Sequence, residues 1–118
     1  MQVLQHYRKT VTFVFASGAA GAGLIQSKSL PFTGQLNHLR QVNIDATNPV
    51  TAQLEIVDSL GVVIWDGTAK SEAASHDHEF VTTPRILDGN DTLRCTLSGD
   101  PGATGYKCDA VISLFGRP

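Results

Sequence analysis

Segment 51–67 constrains this chain more than any other. Apolar residues alternate at Ala52, Leu54 and Ile56, and again at Val62 and Ile64. A period of two puts such residues on one face of a strand. Asp58 and Gly61 bracket the gap between the runs, as a type I turn followed by a left-handed glycine requires. The segment reads as a β-hairpin with Ser59, Leu60 and Gly61 as its turn, and it predicts an all-β chain.

In that register Val57 faces Val63, Ile56 faces Ile64 and Glu55 faces Trp65. Leu54, Ile56, Val62 and Ile64 then make one apolar face, assigned to the core. The other face carries Val57, Val63 and Trp65 beside Gln53 and Glu55. A free monomer has little reason to expose that trio, so Val57, Val63, Trp65 and Glu55 are candidate interface residues. Two other placements fit the same residues. Trp65 lies under a loop or second layer of its own chain, or the hairpin is reversed with Trp65 in the core.

Helical periodicity is nearly absent elsewhere. Strand candidates are 9–16, 24–30, 35–45, 51–58, 61–66, 78–83, 91–98 and 105–115. Turn residues at Thr47-Asn48-Pro49, Asp88-Gly89-Asn90 and Gly99-Asp100-Pro101-Gly102 separate them. Segment 69–77 has room for one helical turn but no apolar stripe to extend it. About eight short strands at this spacing predict an antiparallel β-sandwich, jelly-roll-like. The 118 residues suit a single domain over 1–118, with an extended N-terminal segment 1–8. Such a chain can bury a modest core without metals or several disulfides.

Charge narrows the partners. A net charge of −2 offers no broad basic surface for nucleic acid, and 7% aromatics make a poor stacking platform for single strands. No apolar run reaches the roughly 20 residues of a membrane helix. Arg8 and Lys9 before an apolar run and small residues through Gly23 sketch a signal peptide. Val11, Phe13 and Phe15, alternating with Thr10, Thr12 and Val14, read better as a first strand followed by a Gly/Ala loop.

The two cysteines fall in the last pair of strands. Leu93, Cys95 and Leu97 alternate with polar residues, as do Tyr106, Cys108, Ala110, Ile112 and Leu114. With a loop from Gly99 to Thr104, Cys95 faces Cys108 across a hairpin, on its core face. Opposed Cβ atoms lie about 4.5–5.5 Å apart, whereas a disulfide wants about 3.5–4.5 Å. A disulfide would draw the strands together, and two buried reduced thiols are the default.

Other motifs carry less. His76 and His78, with Glu79, form a metal-like cluster, but two imidazoles do not complete a site, and His6 and His38 reach it only through the fold. A polar edge facing water explains the segment, so no metal or cofactor is expected. Leu30-Pro31-Phe32-Thr33-Gly34 matches a sorting signal that works near a C-terminus, yet most of the domain follows it here. It reads as strand end, proline break and turn. Asn90-Asp91-Thr92 is a glycosylation triplet, relevant only on secretion. No Gly-x-Ser-x-Gly elbow, Cys–His constellation or Walker lysine is present, so no catalytic residue is expected. Glu72, Asp77, Asp88 and Asp91 read as solvated charges.

The order of elements resembles a known group. Pro31-Phe32-Thr33-Gly34-Gln35-Leu36 leads into Arg40-Gln41-Val42-Asn43-Ile44, followed by Leu54-Glu55-Ile56-Val57-Asp58 with its glycine turn. Leu87 to Ser98 and a closing strand complete it. Over residues 30–115 this is similar to small β-sandwich virion proteins of tailed bacteriophages. They are capsid decoration or cement proteins and small neck or tail components. The resemblance implies a non-enzymatic virion structural protein, made in the host cytoplasm. It implies binding to the outside of the head shell, with the major capsid protein as partner, and a homo-oligomer. It leaves open a neck, baseplate or fibre component. From the residues, a carbohydrate-binding β-sandwich module is a further alternative, with Trp65 and Glu55 as the pair to hold a sugar.

Overall fold

Alternation in the sequence becomes alternation of burial in three dimensions. The computed structural model describes residues 3–44, 46–71, 74–80 and 85–117. Along β4 (Thr51–Val57) the buried residues are Ala52, Leu54 and Ile56. Along β8 (Asp91–Leu97) they are Asp91, Leu93, Cys95 and Leu97, and along β9 (Tyr106–Gly116) every second residue from Tyr106. Strands with one apolar face must bury it against a second sheet.

Nine strands among the described residues form two antiparallel sheets. The others are β1 (Gln5–Phe15), β2 (Ile25–Leu30), β3 (Thr33–Asn43), β5 (Val63–Ser71), β6 (Ala74–Glu79) and β7 (Arg85–Asp88). A short 3-10 turn, Gly21–Leu24, precedes β2. One sheet runs β1-β9-β3-β6, with β7 also pairing β3; the other runs β2-β8-β4-β5. First pairs with last, second with second-last, and β4 with β5 at the tip. This is a long hairpin rolled onto itself, the eight-stranded jelly roll with β7 added. The fold is therefore an all-β sandwich, as expected. Phe13, Phe15, Leu30, Leu36, Leu39, Leu54, Leu93 and Ile112 fill the space between the sheets, each burial worth about 1.5–3 kcal/mol.

The roll corrects several local expectations. Consecutive strands mostly switch sheets, so β4 and β5 are the one consecutive pair that hydrogen-bonds among the described strands. β8 and β9, expected as a hairpin, lie in opposite sheets. Their linking loop is tied down from outside: Asn48 N–H donates to the Pro101 carbonyl (2.9 Å) and Asn48 Nδ2 to the Asp100 carbonyl (3.0 Å). Strand β1 already starts at Gln5, inside the expected 1–8 extension. The described part of 69–77 is extended chain at the end of β5 and in β6, not a helical turn. The expected strand 78–83 overlaps β6 only at its end, and residues 81–84 lie outside the described set.

Gly105 ends the crossing loop where β9 begins. Its φ is +68°, and a Cβ there would sit 2.6 Å from the Phe15 carbonyl oxygen. Both the backbone conformation and the close approach exclude a side chain. Gly105→Ala should destabilise the fold by roughly 2–4 kcal/mol, the left-handed penalty plus a backbone clash. Urea unfolding of the two proteins measures this, and unchanged stability would refute the loop path.

Candidate functional site

The β4–β5 turn forms as the residues dictate. Asp58 Oδ1 accepts from the Leu60 and Val62 N–H groups, each at 2.9 Å, and Gly61 takes φ +83°. Val57 pairs with Val63. Beyond that pair the expected register fails. Ile64 is an extra residue, so Trp65 faces Ile56 and Asp66 faces Glu55. A bulge of this kind re-aims the side chains that follow it. A second irregularity lies near Thr68, a non-glycine at φ +62°.

The bulge turns Trp65 inward. Its ring is half-buried against the core, edge-on to Phe80 (5.3 Å) and His78 (5.1 Å) of the facing sheet's edge. It also covers Gly67, where a Cβ would meet the indole at 2.7 Å. The pairing of Glu55 with Trp65 is thus corrected, and Trp65 leaves the outward patch. Glu55 instead pairs with Arg94 of β8, whose Nη2 and Nε donate to Oε1 at 3.0 and 3.2 Å. Val57 and Val63 stay on the outer face, Val63 exposed and Val57 half-buried.

The histidines expected at a watery edge also point inward. His78 Nε2 donates to Gln41 Oε1 (3.2 Å), and Gln41 Nε2 donates to Asn43 Oδ1 (3.2 Å) and the Ala52 carbonyl (3.0 Å). Asn43 Nδ2 and His76 Nε2 both donate to the Ser71 carbonyl. Gln41 and Asn43 are buried, so this chain satisfies polar groups that would otherwise be costly. It joins β3, β4, β5 and β6 beneath Trp65. Among the described residues, no three His, Cys, Asp or Glu side chains converge as metal ligands.

Cys95 and Cys108 are core residues, as expected, but on opposing sheets rather than neighbouring strands. Both are free. Their thiols meet across the sandwich, and the Cys108 thiol together with burial pushes the Cys95 thiol far up. Asp91 is buried, not solvated. Burial raises its carboxyl pKa, aided by the Asp88 and Asp58 charges and opposed by the Asp88 N–H it accepts. Glu72 lies outside the described residues.

What remains exposed and apolar has a place. Leu30 pairs with Asp91, Val57 with Thr92 and Thr33 with Asp88, so the β4–β5 turn, the β2–β3 corner and the β7–β8 turn share one end of the sandwich. Gln35 pairs with both Phe115 and Ile86, near the same end. Leu60, Val62, Val63, Ile86 and Phe115 therefore crowd that end, with Val3 and Leu4 just before β1. Leu60 is 86% exposed and Ile86 67%. Leu4, Ile86 and Phe115 line a groove of about 330 Å³. The turn's own alternation hid this cluster, because its members come from four separate segments.

No protein-family model and no curated protein sequence matches the chain. Among solved structures it is similar to the Yersinia pseudotuberculosis-derived mitogen, at 9% identity and TM-score 0.42, covering 97% of this chain and 86% of that one. It is also similar to a chain of the infectious bursal disease virus Gx strain, at 10% identity and TM-score 0.33. That match covers 94% of this chain and 32% of the viral one.

Two outcomes follow from this geometry. Trp65→Ala should cost about 2–3 kcal/mol, below the usual cost for a fully buried large aromatic because the ring is half-buried. Denaturant unfolding reads the loss, and a change within experimental error would return Trp65 to the surface. The second concerns pH. Burial, with Lys70 and His76 nearby, holds the His78 pKa below its ordinary 6.5. Between the two values the unfolded chain binds a proton that the folded chain does not. Stability should be complete above pH 6.5 and fall as the pH drops from there toward the folded value. Thermal unfolding of His78→Gln across that window should show a shallower decline than the parent; identical slopes would refute the assignment.

Proposed function

We propose that this protein is a non-enzymatic virion structural protein, a capsid decoration protein of a tailed-phage head. The observation that supports it is the apolar end. Seven large hydrophobic side chains from separate segments stand exposed around one end of a jelly roll. Clusters of this kind mark contact surfaces on soluble domains. Jelly rolls recur in viral capsids, an analogy of fold that raises the prior without fixing the role.

On this reading the apolar end seats on the outside of the shell, against the major capsid protein. Burial of the Leu60 and Ile86 side chains supplies the attraction, with Val57, Val63 and Glu55 at the margin. A stable interface needs roughly 800 Å² from each partner, more than one end of a small sandwich gives easily. A homo-oligomer that combines several ends meets that need. No reaction is required, since catalysis is not what such a contact does. A neck, baseplate or fibre position uses the same physics with fewer copies.

Quantitative mass spectrometry of particles purified from the producing host tests the reading. Hundreds of copies per particle identify shell decoration, whereas a single ring's worth moves the protein to the neck or tail. Absence from particles overturns the proposal. Leu60→Asp with Ile86→Asp should abolish particle binding, while stability shifts by only about 0.5 kcal/mol per site because both are surface positions.

A further inference from the structure

We propose that the outer face of the five-stranded sheet is a binding site for an acidic sugar, one carrying a carboxylate or sulfate group. Strand register assembles it from residues far apart in the chain. Arg8 of β1 pairs with Ser113 of β9, which pairs with His38 of β3. In the next row Thr10 pairs with Val111, and Val111 with Arg40. Neighbouring strands lie about 4.8 Å apart, so Arg8 and Arg40 flank a floor one strand wide. Arg8, His38, Arg40, Val111 and Ser113 line a hollow of about 250 Å³. Through Arg8 and Ser113 it adjoins a second of about 410 Å³ that reaches Asn37 and His6. Together they are the size of an ordinary ligand site.

One of the two arginines is held by a carboxylate at the rim, and the other has no partner among the described residues. Asp77 of β6 accepts from Arg40 Nε (3.1 Å) and His38 Nε2 (3.0 Å) through one oxygen. That contact uses Arg40 Nε, and Arg40 lines the hollow. Arg8 has no hydrogen-bond or ion-pair partner among the described residues. No carboxylate lines either hollow. Asp77 and Glu79 lie beyond it on the edge strand, and Asp109 is engaged by Thr12 (2.6 Å) and Lys107 (3.5 Å). Two guanidinium forks across a hydroxyl-bearing floor suit a flat or tetrahedral oxyanion.

The surroundings suit a sugar rather than a free ion. Asn37 is the extra residue of a bulge in β3, between Leu36 and His38. Bulges beside sites re-aim side chains, and the Phe80 N–H holds the Asn37 carbonyl in place (3.1 Å). Asn37 and Ser113 supply neutral hydrogen-bonding groups. At the end of the same face the His6 and Phe115 rings meet at 4.8 Å, tilted by 51°. With net charge −2 and two arginines here, the face is too weakly basic to track a nucleic-acid backbone.

This inference rests on Arg8, His38, Arg40 and Ser113, none of which belongs to the apolar end, so either reading can fail alone. Isothermal titration with sialyllactose, a sulfated chondroitin tetrasaccharide, neutral lactose, inorganic sulfate and a DNA oligonucleotide tests it. Binding of sialyllactose identifies a carboxylate sugar, binding of the tetrasaccharide a sulfated one, and both should exceed lactose and sulfate at least about tenfold. Arg8→Gln and Arg40→Gln should each weaken binding about tenfold. The unfolding midpoint, read by Trp65 fluorescence, should stay near the parent's. No acidic sugar binding at millimolar concentration overturns the proposal. So does equal binding by DNA or sulfate, or binding that survives both substitutions in folded protein.

Discussion

The structure depends on the burial of one sheet's apolar rows against the other's. Each strand of a sandwich has only one face to hide, and an isolated sheet would leave Leu54, Leu93 and Ile112 in water. Rolling the chain so that β1 meets β9 and β2 meets β8 closes the two apolar faces together. The pairings this requires are almost all between strands distant in sequence. Their loop-closure cost is met only when both sheets form, so the fold is cooperative by construction. Loop anchors such as Asn48 on the Asp100–Pro101 segment then fix where each crossing enters the opposite sheet.

That constraint explains which parts of the fold could be read in advance. Alternation reports which face of a strand is apolar, and it located seven of the nine strands closely and correctly predicted a sandwich. It cannot report which strand is the neighbour. At the tip of the roll, neighbour in sequence and neighbour in space coincide, so the β4–β5 hairpin and its Asp58 turn were legible. For β8 and β9 they diverge. The inward faces of Cys95 and Cys108 were legible, while their placement on one sheet was an assumption that the crossing loop overturns. Trp65 failed for a different reason. A single bulged residue, Ile64, reverses the face of Trp65 and Asp66 until the second irregularity near Thr68 restores the parity, and nothing in Val63-Ile64-Trp65-Asp66 marks where the extra residue falls.

The polar chain under Trp65 shows where the two sheets are hardest to close. β5 and β6 are edges of different sheets. Gln41, Asn43 and His78 link them with hydrogen bonds where β3 elsewhere offers leucines. A satisfied buried network is directional, whereas leucine packing tolerates sliding. The network therefore specifies how β5 lies over β6, and the indole seals it from water. Burial holds the His78 pKa below its ordinary value, which makes this corner acid-sensitive.

Once the inward faces are committed to the core, only outer faces, edges and ends are free to serve binding. Neither candidate surface was visible as a motif, for the same physical reason. Arg8, His38, Arg40 and Ser113 belong to three strands whose order follows from the roll, and their chain separations carry no signal. The outward parity of Ser113 was readable from the inward set of β9, yet parity without neighbour order places no residue beside another. The apolar end is similar: Leu60, Ile86 and Phe115 are unremarkable singly, since isolated exposed hydrophobics are normal. They acquire meaning only when the β4–β5 turn, β7 and the end of β9 finish toward the same end of the sandwich. In a rolled sandwich, then, register rather than chain spacing decides which residues share a surface. The exposed apolar side chains gather toward one end, and the outer sheet face carries Arg8, without a partner among the described residues, near Arg40, which Asp77 holds.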